Sequence, residues 1–112
     1  MTFLTKDQIK ETKDYKEAIV KVWGGQIRVR SMSVQDRIDF EARQVEDKKD
    51  MPMMISMIIG CCVDEEGSKF FSLEDNSWLL EKSTETLLKL FEACVKLNTL
   101  TQDNIESQAK NS

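Results

Sequence analysis

The chain contains no histidine. That removes the commonest general base, the usual partner of a serine or cysteine nucleophile, and the commonest transition-metal ligand. A disulfide framework is missing too. The three cysteines, Cys61, Cys62 and Cys94, are an odd number with two adjacent, and no C-x-x-C spacing occurs. They read as reduced, buried thiols in apolar helix that the protein can do without. The most apolar run, Met51 to Val63, is too short to cross a bilayer. The start is polar by Thr5, so no signal peptide is expected. Excess positive charge is absent as well. Sixteen Lys and Arg against twenty Asp and Glu give a net charge of −4. This argues against general binding to nucleic acid or to an anionic membrane, which needs basic surface. Carboxylates are plentiful, but no pattern pairs them. The expectation is a non-enzyme with no metal and no cofactor.

What is present fits one domain spanning residues 1–112, with 106–112 expected to fray. At this length a chain buries roughly two-thirds of its unfolded surface, enough for a core without staples. "FLTKDQIK" opens a helix, with Thr5 as cap, Gln8 three residues on, and Leu4 and Ile9 placed for a hydrophobic staple. "IVKVWGGQIRVR" then reads as a hairpin. With Gly24-Gly25 as a two-residue turn, Trp23 faces Gln26, Val22 faces Ile27, Lys21 faces Arg28 and Val20 faces Val29. Val20, Val22, Ile27 and Val29 fall on one face, and Trp23, Lys21, Arg28 and Arg30 on the other. An isolated ribbon is marginal in water, so its Val/Ile face must lie on helices.

Those helices follow. Ser33 and Asp36 form a capping box, and Val34, Ile38, Ala42 and Val45 recur at helical spacing as an apolar stripe. The charged connector "EDKKD" leads to Met51-Pro52, which opens a helix that is apolar nearly all round through Val63. "DEEG" makes a turn and "KFF" a short extended piece. The glycine there is fourth from Asp64, where a calcium loop needs its sixth, so a plain turn is favoured. Ser72 and Asp75 cap a helix carrying Trp78, and Ser83 caps one striped by Leu87, Leu90, Phe91, Cys94 and Val95. Leu100-Thr101 echoes the opening of Leu4-Thr5. The fold class is mainly α within α+β: about five helices and one N-terminal antiparallel β-hairpin.

Two segments suggest protein contact. Met51, Met53, Met54 and Met57 lie together, and methionine suits surfaces that repack against apolar partners, although it also fills ordinary cores. Trp23 tips the hairpin beside Arg28 and Arg30, and Trp and Arg are enriched in interface hot spots. Trp23, Arg28, Arg30, Met53, Met54 and Met57 are therefore the expected protein-binding residues.

The ordered pieces, "V-x-V-W-G-G-x-I-R-V-R", "D-R-x-x-F-E", "CCVDEEGSKFF" and "STETLLKLFEACVKLNTLT", resemble the tail assembly chaperones of long-tailed phages and prophages, over roughly Leu4 to Ile105. The resemblance implies a protein that binds the long, helical, aggregation-prone tape measure protein, keeps it soluble and helps recruit subunits of the tail tube. It implies residence in the host bacterial cytoplasm and absence from the finished virion. Self-association is compatible with it. The alternative is a small helical adaptor or inhibitor that binds one folded partner.

Overall fold

A computed structural model describes residues 2–45 and 51–98. The connector at 46–50, the Leu100-Thr101 echo and the tail expected to fray lie outside the described residues. After α1 (Lys6–Glu11), which carries the full Thr5/Gln8 capping box and buries none of its residues, β1 (Glu17–Val22) pairs with β2 (Gly25–Arg30). The two faces sort as the alternation predicts. The register does not follow the Gly24-Gly25 turn. Val22 faces Gly25, Lys21 faces Gln26, Val20 faces Ile27 and Glu17 faces Arg30. The turn residues are Trp23 and Gly24, with φ of 51° and 74°, the pair of positive φ angles that a type I′ turn requires. Both registers put the same residues on the same face, because they differ by two positions and the pleat has period two. Charge separates them. The glycine-centred register sets Lys21 directly against Arg28, whereas the observed one puts Gln26 there and brings Glu17 to within 3.9 Å of Arg28.

A third strand escaped the sequence reading. The helix predicted through Val63 stops at Cys61, and β3 (Cys62–Val63) adds antiparallel to β2. Val63 also bridges Lys69, which gives "KFF" its extended character. Between them the "DEEG" turn closes on itself: the Asp64 carboxylate accepts from Glu66 N at 2.8 Å and Ser68 N at 2.9 Å, and Gly67 sits at φ 89°. This turn folds over the basic face of the hairpin. Arg28 donates to the Glu65 carbonyl and Arg30 to the Gly67 carbonyl.

The helices are α2 (Val34–Val45), α3 (Met53–Cys61), α4 (Asn76–Leu79) and α5 (Thr84–Asn98). The Ser72/Asp75 capping box is formed, opening a 3₁₀ turn at Leu73–Asp75 ahead of α4. Helix α5 lies against the hairpin and α3, and α3 in turn against α2. The core gathers Val22, Ile27 and Val29 from the sheet, Ile55, Ile58 and Cys61 from α3, and Leu87, Leu90 and Cys94 from α5. All three thiols are buried and free. Cys62 stands in β3 rather than in helix. The bond to Cys94, followed by burial, pushes the Cys61 thiol far above its ordinary value.

Helix α2 reverses expectation. Val34, at 79 % exposure, Ile38 and Ala42 face solvent; the Val45 side chain lies outside the described residues. The inward stripe is instead Asp36, Phe40 and Arg43, also at helical spacing. Asp36 receives Lys69 Nζ at 2.8 Å and Arg30 Nη2 at 3.5 Å. Phe40 is buried, and Arg43 donates to Ser56 Oγ at 2.7 Å and to its carbonyl at 3.0 Å. Charge-assisted bonds to otherwise unpaired buried groups decide which face turns in, since leaving them unmade costs more than exposing a valine and an isoleucine.

Candidate functional site

The structure separates the residues expected to bind protein. Met57 is in the core, at 4 % exposure, Met54 packs against that core, and Met53 is half exposed. Helix α3 is therefore the buried centre, with Met53 at its solvent end. Arg28 and Arg30 are engaged by the Asp64–Lys69 turn, and the Arg30 guanidinium also lies 4.3 Å from the centre of the Tyr15 ring. Trp23 stands in the hairpin turn, 49 % exposed. A bulky side chain at positive φ costs roughly 1–2 kcal/mol. Such strain persists where surrounding structure holds it, and it concentrates at sites of function.

What surrounds Trp23 is a trough that the sequence reading did not find. At one end, Ala18, Ile19 and Val20 of β1 face Phe91, Ala93, Val95 and Leu97 of α5 across a depression of about 760 Å³. Among the described residues, sheet order β1-β2-β3 makes β1 an edge strand, with no strand on its outer side. A second depression of about 470 Å³ shares Lys89 with the first and is bounded by Lys21, Trp23, Gln26 and Thr86. A third, of about 360 Å³, shares Val22, Trp23, Gly25 and Gln26 with the second and continues to Phe70, Phe71, Trp78 and Lys82. Trp23 borders both of the latter.

The aromatic end is built locally. Phe70 and Phe71 meet edge to face at 4.9 Å between centroids, and Trp78 lies 6.0 Å from Phe71. Trp78 Nε1 donates to the Asp75 carboxylate at 2.9 Å, which fixes the indole, and Lys82 sits 5.9 Å above the ring. The Asp75 carboxyl lies below its usual range, owing first to the Ser72 amide bond and then to the indole bond. Phe70, Trp78 and Ile19 are all about half exposed. In sequence they belong to three separate apolar pieces, "AIV", "KFF" and "SWLL". Only the fold brings Phe70 and Trp78 beside the hairpin tip. No described helix is long and apolar enough to cross a membrane.

The architecture so defined is a small α+β unit, a three-stranded antiparallel sheet with α5 packed on its hairpin and α3 and α2 layered beyond, and with a trough along β1 among the described residues. A solved structure of the bacteriophage HK97 tail assembly chaperone has this fold. The two superpose with a TM-score of 0.59 at 15% sequence identity, over 86% of this chain and 95% of that one. The likeness supports the resemblance read from the sequence pieces. No family model matches the chain, and no curated protein matches it.

Proposed function

We propose that this protein is a phage tail assembly chaperone. It binds the tape measure protein in the host bacterial cytoplasm, keeps it soluble and helps recruit tail-tube subunits, without catalysis and without entering the virion. The observation that carries this reading is the fold shared with the HK97 chaperone along nearly the full length of both chains. The exposed apolar surface supports it: Phe3, Leu4 and Ile9 at the N-terminus, the outward stripe of α2, and the trough. A long helical client with apolar faces needs such surface more than it needs a deep pocket.

Of the six residues read from the sequence, Trp23 and Met53 serve this proposal as direct contacts. Arg28 and Arg30 hold the turn beneath the hairpin, and Met54 and Met57 shape α3 from inside. Apolar contact predicts salt tolerance. In gel filtration with a co-expressed tape measure fragment, affinity should fall less than about tenfold between 0.1 and 1 M NaCl, because exposed charge pairs add little and are screened. Dissociation by several orders of magnitude over that range would identify an electrostatic partner and overturn the reading.

A further inference from the structure

The trough carries a charge pattern opposite to that of the molecule. The chain has net charge −4, yet Lys21, Lys82, Lys89 and Lys96 line the trough against Glu92. None of these four lysines forms an ion pair among the described residues, where the pairs are made by Arg28, Arg30, Arg37 and Lys69. Lys82 lies over the Trp78 ring, and the ammonium groups of Lys21, Lys89 and Lys96 are left for a partner. Lys89 and Lys96 stand seven residues apart on α5, two turns along one helix face, whereas Lys82 precedes the helix. From Lys89 to Lys96 the helical rise spans on the order of 10 Å, about two turns. Between the lysines the lining is apolar: Ile19, Val20, Phe91, Val95 and, at the far end, Trp78.

From this we infer that the trough receives an amphipathic helix of a partner protein, apolar on the docked face and flanked by Asp or Glu at heptad spacing. The apolar lining supplies contact area. The lysines select sign and register, which is what rim charges do best. The inference rests on the proposed function only for the identity of the protein that carries the helix. A lysine-flanked helix would meet like charge, and an extended strand would not match the two-turn spacing of Lys89 and Lys96 on α5.

The test uses two synthetic helical peptides with the same Leu/Ala face, one flanked by Glu and one by Lys. The wild-type chain should bind the Glu-flanked peptide at least about tenfold more tightly. Amide shift changes on its addition should concentrate on β1 and α5. Lys21→Glu, Lys89→Glu and Lys96→Glu together should reverse the preference, and because all three are surface changes the amide spectrum should stay that of a folded chain. Equal binding of both peptides, unchanged preference in the triple variant, or displacement of the peptide by anionic phospholipid vesicles or a second copy of the chain would each overturn the inference. Tape measure capture without any peptide preference would leave the proposed function standing and this inference fallen. Peptide preference without tape measure capture would do the reverse.

Discussion

Asp36→Ala is expected to destabilise the domain by about 2–3 kcal/mol at neutral pH. One carboxylate holds three things. It caps α2 by accepting from Ser33 N at 3.0 Å, and it pairs with Arg30 from β2 and with Lys69 from the chain after β3. Its side chain is nearly buried, whereas that of Lys69 is partly solvated. The cost therefore falls short of the 3–5 kcal/mol that follows from breaking a fully buried pair, and it includes the lost cap. The pH dependence has a definite sign. Burial pushes the Asp36 carboxyl up, but the Lys69 and Ser33 hydrogen bonds and the Lys69 charge together outweigh it, so the folded-state value lies below the ordinary one. A depressed carboxylate contributes fully above the unfolded value, near ~4, and loses its contribution as pH falls through the folded value. Urea unfolding should show the variant's deficit at pH 7 and a narrower deficit near pH 3. A deficit of the same size at both would mean that packing, not charge, is what the substitution removes.

Leu90→Ala is expected to cost about 3 kcal/mol, within the range for a fully buried leucine. Leu90 is 0 % exposed, on the face of α5 that meets α3 and the sheet. Truncation there opens a cavity whose walls are held from three sides. In a domain of this size the loss should lower the melting temperature by roughly 10–20 °C. Leu88, two residues earlier and partly exposed, is the control, and its alanine variant should shift stability by less than about 1 kcal/mol. Equal effects at the two positions in thermal unfolding would show that α5 does not present this face to the core.

The legible parts of the fold were those with a strict period. Face alternation in the hairpin survives any even shift of register, so Val20, Val22, Ile27 and Val29 could be placed without knowing the turn. The turn itself could not. Gly24-Gly25 is the better local choice, and what overrides it is a pairing between strands, with Lys21 moved off Arg28 and Glu17 brought near it. Strand β3 is two residues long and carries no period at all. Helix α3 was readable as a buried centre because it is apolar on every side, and the same feature made its methionines ambiguous as contacts. Helix α2 shows the limit of apolar periodicity. Val34, Ile38 and Ala42 make a regular stripe, but Asp36 finds Lys69 and Arg43 finds the buried Ser56 on the other side, and these bonds turn the helix over. The trough was illegible because it joins an edge strand, the residues around Trp78 and the side of α5, which are far apart in sequence. The one trace of it was the seven-residue spacing of Lys89 and Lys96.

The central claim is that this chain holds a tape measure protein in solution through the surface around Trp23. Trp23→Asn tests it with the least damage. Asparagine followed by Gly24 is a preferred type I′ pair, and relief of strain offsets the buried part of the indole, so stability should stay within about 1 kcal/mol of wild type. The measurement is the soluble fraction of the tape measure protein when it is co-expressed with each form, with circular dichroism confirming that the variant is folded. The account predicts a soluble complex with the wild type and client in the pellet with the folded variant. A tape measure protein that stays soluble with the variant would remove Trp23 from the site, and one that precipitates beside the wild type would contradict the function itself.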